Sequence, residues 1–238
     1  MSLYRDEGVV LRTFRLGEAD RIVTLMTKGR GKVRAVAKGV RRTHSKFGAR
    51  LEPLSHVAML CWQGRELDIV NQVEVIESFR SVREDLSRVA KAYTMLEMVD
   101  QLSQEGHANP ALYEMVLGAL RVLAEHDAPL VVAAFLLKAL ALEGSAPTVD
   151  VCVSCGAAED LVAFDLGEGG VLCRSCRRGR PLSEAGLALL RQVLGGGLVA
   201  ALQQPPGAVV DELTDLATEA TEGHLDRRLR SVRSSPAD

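Results

Sequence analysis

Two short motifs, Cys152-Val153-Ser154-Cys155 and Cys173-Arg174-Ser175-Cys176, stand seventeen residues apart. This Cys-x2-Cys-x17-Cys-x2-Cys spacing constrains the chain more than any other feature, because it falls within the range of zinc sites. A two-residue spacer lets both sulfurs of a knuckle reach one ion at about 2.3 Å, and four thiolates suit the closed tetrahedron of a borderline-soft, d¹⁰ Zn²⁺. Gly156 and Arg177-Arg178-Gly179 supply turn residues around the knuckles. No apolar h-region follows Met1, and no run of about 18 apolar residues occurs, so neither a signal peptide nor a membrane span is expected. The cysteines then belong to a reducing cytosol, where such pairs are metal ligands more often than disulfides. One structural Zn²⁺ on Cys152, Cys155, Cys173 and Cys176 is the expectation. With all four positions filled by protein, no open site remains for water. Four ordinary core cysteines or two redox dithiols are the other readings; no βαβ pattern surrounds either pair, which weighs against the dithiols. Cys61, beside Trp62 in an expected strand, reads as a small buried residue.

The second constraint is charge. Residues 1–50 carry 13 Lys/Arg against 4 Asp/Glu, whereas residues 51–238 carry 16 against 27, so a net charge of −2 conceals a basic segment on an acidic body. Nine of these bases lie between 28 and 50 with no acid among them: Lys28, Arg30, Lys32, Arg34, Lys38, Arg41, Arg42, Lys46 and Arg50. Crowding that much positive charge is unfavourable without a counterion, and a basic stripe is the usual footprint of a phosphate backbone. A solvated surface loop is the plainer reading. Against it, apolar residues interleave with the bases at strand period. These nine are the candidate nucleic-acid contacts.

Strand patterns occupy Gly8 to Phe14, Arg21 to Thr27, Lys32 to Val40, His56 to Trp62 and Leu67 to Val75. In the third, Val33, Ala35 and Ala37 fall on one face and Lys32, Arg34 and Lys38 on the other, because strand side chains alternate. Five short, closely spaced strands fit a small barrel of the OB type, whose second and third strands face nucleic acid. An SH3-like barrel gives a similar pattern, so periodicity leaves the topology open. From Val82 to Leu102 the period becomes helical through Leu86, Val89, Tyr93, Leu96, Val99 and Leu102. Asn109-Pro110 opens a helix to about Glu125, and Asp127 with Pro129 opens an almost wholly apolar one ending at Gly144. A fourth helix runs from Ser183 to Gly195, and a fifth follows Pro205-Pro206. Ser234 to Asp238 reads as a frayed tail.

The five histidines match no metal or triad spacing, and no Gly-x-x-x-x-Gly-Lys phosphate loop occurs. Nothing in the sequence calls for an enzyme. Aromatics are scarce; Phe14, Phe47 and Trp62 are the candidates for stacking on bases, although Phe14 and Trp62 read equally well as core.

Several motifs resemble the RecO family of bacterial recombination mediators. They are Gly8-Val9-Val10-Leu11-Arg12-Thr13, Gly17-Glu18-Ala19-Asp20, Thr27 with Gly31-Lys32, and Ala37-Lys38-Gly39-Val40-Arg41-Arg42. Ser45-Lys46-Phe47-Gly48, Leu51-Glu52-Pro53 and the cysteine quartet extend the likeness. The resemblance implies an α+β multidomain protein: an N-terminal five-stranded OB-type β-barrel and a C-terminal α-helical bundle with an inserted four-cysteine zinc module. The expected boundaries are 1–79 for the barrel, 80–148 and 181–232 for the helical domain, 149–180 for the zinc module and 233–238 for the tail. The resemblance further implies binding of single- and double-stranded DNA, annealing of complementary strands, and work with RecR. Contact with single-strand-binding protein, so that RecA loads onto coated DNA, is also implied, in the cytoplasm and without a membrane. It carries DNA binding onto Lys32, Arg34, Lys38, Arg41, Arg42 and Lys46. Two other classes remain open: a zinc-ribbon transcription or RNA-binding factor using Arg174, Arg177, Arg178 and Arg180, and a thiol oxidoreductase using the cysteine pairs.

Overall fold

A computed structural model describes residues 2–45 and 47–229, which divide into two compact units at Ala124/Glu125. In the first unit, β1 (Leu3–Leu16), β2 (Asp20–Thr27), β3 (Gly31–Ala37), β4 (His56–Trp62) and β5 (Asp68–Glu77) form a closed barrel in the order β1-β2-β3-β5-β4. Every neighbouring pair is antiparallel except β3 with β5, which pair in parallel through Ala35–Asp68 and Val36–Ile69. That crossover settles the topology that periodicity left open: the barrel is OB-like.

β1 serves two neighbours. Its first half pairs with β4 and its second half with β2, with a bulge between Val10 and Arg12. It begins at Leu3, well before the alternation at Gly8 suggests, because Arg5-Asp6-Glu7 breaks the apolar pattern while Tyr4 still turns inward to the core. β3 ends at Ala37 rather than at Val40. Lys38 to Val40 form a turn in which Gly39 takes a positive φ and donates its N–H to Asp20 Oδ1 at 2.7 Å.

The inward residues of all five strands make the core, among them Val23, Leu25, Val33, Ala35, Ala37, Val57, Met59, Cys61 and Val70. Burying a large apolar side chain contributes about 1.5–3 kcal/mol, so this layer holds the barrel closed. Phe47 belongs to it as well, which removes it from the stacking candidates.

α1 (Arg80–Arg83), α2 (Leu86–Leu102) and nearly all of α3 (Pro110–Glu125) lie in the same unit as the barrel. Asp85 caps α2 by accepting the Arg88 N–H, and Asn109 caps α3 by accepting the Leu112 N–H, both at 3.0 Å. The buried face of α2 runs through Ala92, Met95, Leu96 and Val99, whereas Leu86 and Tyr93, placed on the apolar face by periodicity, are 71% and 42% exposed. The C-terminal end of α2 is the part tied to the barrel, against β1, β2 and β3. Ser103 Oγ there donates to Met26 Sδ at 3.2 Å, and the Lys32 N–H donates to the Gln104 carbonyl at 3.0 Å.

The second unit contains α4 (Val131–Leu142), the strands β6 (Leu161–Asp165), β7 (Gly170–Cys173) and β8 (Arg180–Pro181), then α5 (Glu184–Leu194), α6 (Leu198–Ala201) and α7 (Ala208–Leu225). α4, α5 and α7 pack on one another, and α4 is buried nearly all round, as its composition requires. Ser183 caps α5 by accepting the Gly186 N–H at 2.9 Å. The short α6 is hidden in sequence by the preceding glycines. The cysteine module sits between α4 and α5 on the sheet β7-β6-β8. The tail from Ser234 lies outside the described residues.

Gly31 opens β3 at a φ of +69°, and a Cβ built there would fall 2.0 Å from the His107 carbonyl oxygen. Gly31→Ala is therefore expected to lower the unfolding free energy by more than about 2 kcal/mol, through strain at positive φ plus displacement of the α2–α3 loop. Urea denaturation checks this; a loss below about 0.5 kcal/mol, the size of an ordinary surface substitution, contradicts it.

Candidate metal centre and nucleic-acid interface

The four cysteines of the quartet converge. Their sulfurs lie within 4.8 Å of one another, and Cys155 Sγ is 3.7 Å from Cys173 Sγ. A tetrahedron with metal–sulfur bonds of about 2.3 Å has sulfur–sulfur edges of about 3.8 Å, so the spacing is that of ligands about a common ion. It is far longer than a disulfide bond of about 2.05 Å. Backbone turns set the knuckles: Gly156 donates its N–H to the Cys152 carbonyl at 2.8 Å, and Cys176 donates to the Cys173 carbonyl at 3.1 Å. β7 delivers Cys173 from the sheet.

Protonation within the quartet is uneven. Hydrogen bonds from the backbone at Cys173, then at Cys155 and Ser154, pull the Cys152 thiol down to about 6. At Cys155 the backbone at Ala157 lowers the pKa, but contacts with the sulfurs of Cys152, Cys176 and Cys173 outweigh it and push the thiol up to about 12. Ionising all four thiols at this distance would require a cation among them, and a soft divalent metal meets that need.

Two of the four arginines around the module are engaged. Arg178 pairs with Asp165 at 2.7 Å and with Glu168, and Arg180 pairs with Glu219 at 2.5 Å and Asp215 at 3.3 Å. Arg174 and Arg177 are exposed.

The nine bases of the N-terminal stretch separate into distinct environments. Lys32 is only 16% exposed at its side chain; its ammonium lies 3.2 Å from Asp100 Oδ1 and donates to the Asp100 carbonyl. Arg12 holds the other oxygen of the same carboxylate at 2.7 Å. Asp100 thus ties β1 and β3 to the end of α2, and Lys32 serves the fold. Arg30 stacks on Tyr4, with its guanidinium carbon 3.9 Å from the ring centroid. Lys28 approaches Glu114 at 3.8 Å and Arg34 approaches Glu105 at 3.6 Å, both between exposed side chains, where ion pairs contribute at most about 1 kcal/mol. Arg41 donates to the Gly17 and Glu18 carbonyls, which orients its guanidinium without neutralising it. Lys38 and Arg42 are exposed and form no ion pair with another described residue. Arg50 is exposed within the short 3₁₀ turn Gly48–Leu51. Lys46 lies outside the described residues.

An open cationic face therefore exists on the outside of β3 and in the turn after it, formed by Arg34, Lys38, Arg41 and Arg42. Strand register adds residues that the basic run alone does not reveal. Arg12, Thr24 and Arg34 are direct neighbours across β1, β2 and β3. Arg65, in the β4–β5 loop, shares a cavity of about 190 Å³ with Arg30 and Arg34. Pairing the alternating strands by register would have found Arg12; Arg65 lies in a loop and needed coordinates.

Two family models cover the chain. Recombination protein O N terminal matches residues 1–79, and Recombination protein O C terminal matches residues 83–233. The chain belongs to the RecO family.

The native protein is expected to carry one metal ion per chain, measurable by native mass spectrometry. Cys152→Ser or chelation is expected to remove it and to lower the melting temperature; retention of the metal by Cys152→Ser contradicts the shared site. Asp100→Ala is expected to cost about 3 kcal/mol of unfolding free energy, because it leaves the little-exposed Lys32 ammonium without its partner. A chemical-denaturation midpoint unchanged by Asp100→Ala would contradict the anchoring role.

Proposed function

We propose that the chain is a non-enzymatic DNA repair and recombination mediator that binds single- and double-stranded DNA through the outer face of β1–β3 and the turn after β3. In this reading it anneals complementary strands and, with RecR, helps RecA load onto DNA coated by single-strand-binding protein, acting in the cytoplasm. Membership of the RecO family supports a role in recombinational repair, with DNA binding and partners in that pathway. No described helix is long and apolar enough to cross a membrane.

The observation that carries the reading is the division of labour on β3. Val33, Ala35 and Ala37 are buried in the barrel, while Arg34 and the following Lys38, Arg41 and Arg42 project outward. Cations held on a rigid strand and tight turn neutralise phosphates without reading bases. Neutralising two strands at once lowers the repulsion between them, which is what annealing requires. The metal in the quartet is proposed to be a structural Zn²⁺, closing the module and supplying no open coordination position.

The rivals are less well supported. A zinc-ribbon reader would draw on four arginines beside the knuckles; Arg178 and Arg180 are paired with carboxylates, which leaves it the exposed Arg174 and Arg177. A dithiol oxidoreductase needs one pair of thiols set apart for exchange, yet all four sulfurs gather within 4.8 Å of one another as a single cluster.

Replacing Arg34, Lys38, Arg41 and Arg42 by Ala is expected to weaken binding to single strands and to flatten the dependence of log K on log salt by about 0.7 for each phosphate no longer neutralised. The same variant is expected to anneal complementary strands coated by single-strand-binding protein more slowly. An unchanged salt slope would place the DNA elsewhere.

A further inference from the structure

The outward residues of the barrel carry a second pattern. Phe14 pairs with Ile22, Ile22 with Val36, Val36 with Ile69, Ile69 with Trp62, and Trp62 with Leu3. Each of the six is flanked in sequence by a core residue or by one turned toward the barrel interior, so all six point out. Together they make an unbroken apolar ladder across all five strands. Residues directly opposite on antiparallel strands lie about 4.5–5.5 Å apart at Cβ, which places the antiparallel neighbours of the ladder side by side. It leaves β1 at Phe14 and returns to the same strand at Leu3, the offset that tilted strands impose on a closed barrel.

Apolar side chains on the outside of a barrel belong under a helix or a partner. The end of α2 covers the ladder's neighbours Thr24 and Met26, which are 1% and 0% exposed. It leaves the two ends of the ladder open: Phe14 is 50% exposed, Leu3 45% and Trp62 39%, while Ile22, Val36 and Ile69 between them are partly buried. Cations border it. Arg12 lies over the Phe14 ring at 4.9 Å, Arg34 is two residues before Val36 on the same face of β3, Lys38 is two residues after it, and Arg65 stands in the loop between Trp62 and Ile69.

An apolar track edged by positive charge complements a chain with flat apolar units joined by phosphates, and the bases of a duplex are not available to it. We infer that the ladder Phe14–Ile22–Val36–Ile69–Trp62–Leu3 is a base-binding track for single-stranded nucleic acid, with Phe14 and Trp62 as its two aromatic platforms. This rests on the proposal that the barrel binds DNA and adds what distinguishes a single strand from a duplex: unpaired bases on the track, phosphates on the bordering cations. Stacking on an aromatic side chain contributes a further increment that salt does not screen.

Trp62 is the sole tryptophan of the chain, so its emission reports one end of the track directly. The full-length protein is titrated with an oligothymidylate and with an abasic strand of the same length. Thymidylate is expected to quench Trp62 emission, and the abasic strand to leave it unchanged. Phe14→Ala is expected to weaken thymidylate binding about tenfold, with the salt slope and abasic-strand affinity unchanged, and Phe14→Tyr is expected to restore it. The exposure of Phe14 makes the variant's melting temperature a check that folding is intact. Absence of quenching, or an equal loss on both strands, overturns the track while leaving phosphate binding in place. Failure of the wild-type protein to bind either strand overturns both.

Discussion

Alternation along β3 is the constraint on which the rest depends. In a closed barrel a strand has an inside and an outside, and a one-residue slip exchanges them completely. Val33, Ala35 and Ala37 pack inside, so Lys32, Arg34 and Val36 have no choice but to face out. The fold therefore obtains its core and its cationic face from the same short strand and its following turn. The small size of Ala35 and Ala37 suits a five-stranded barrel, whose interior has little room.

The outward set is not uniform, and the end of α2 makes the difference. Its carboxylate at Asp100 holds Lys32 and Arg12, which fastens the helix to two strands of the barrel. Beyond that point Lys38 and Arg42 form no ion pair with another described residue, and Arg34 meets Glu105 only between exposed side chains. On a chain whose residues 51–238 are acidic, such a face is a favourable surface for a polyanion.

Much of this was legible in the residues. The alternation of Val33, Ala35 and Ala37 with bases gave both faces of β3, the caps Asn109 and Ser183 placed helix starts, and the cysteine spacing alone predicted a four-sulfur cluster. Four things were not legible. Arg5-Asp6-Glu7 disguised the start of β1, because a strand whose outward residues are charged lacks an apolar signature. The buried face of α2 depended on which end of the helix meets the barrel, which periodicity does not state. The partnership of Lys32 with Asp100 joins residues 68 apart, and the pairing of Arg178 and Arg180 with acids of β6, its following turn and α7 likewise joins separate elements. The apolar ladder required the register of all five strands at once, including the parallel step from Val36 to Ile69.

The central claim is that polynucleotide lies against the barrel's outer face and not against the metal module. Amide hydrogen exchange of the full-length protein, with and without a saturating single strand, tests it most directly. The account predicts slowed exchange in the second half of β1 and from β3 through its following turn, with the segment 173–180 unaffected. Protection confined to the cysteine module, with β1 and β3 unchanged, would contradict it.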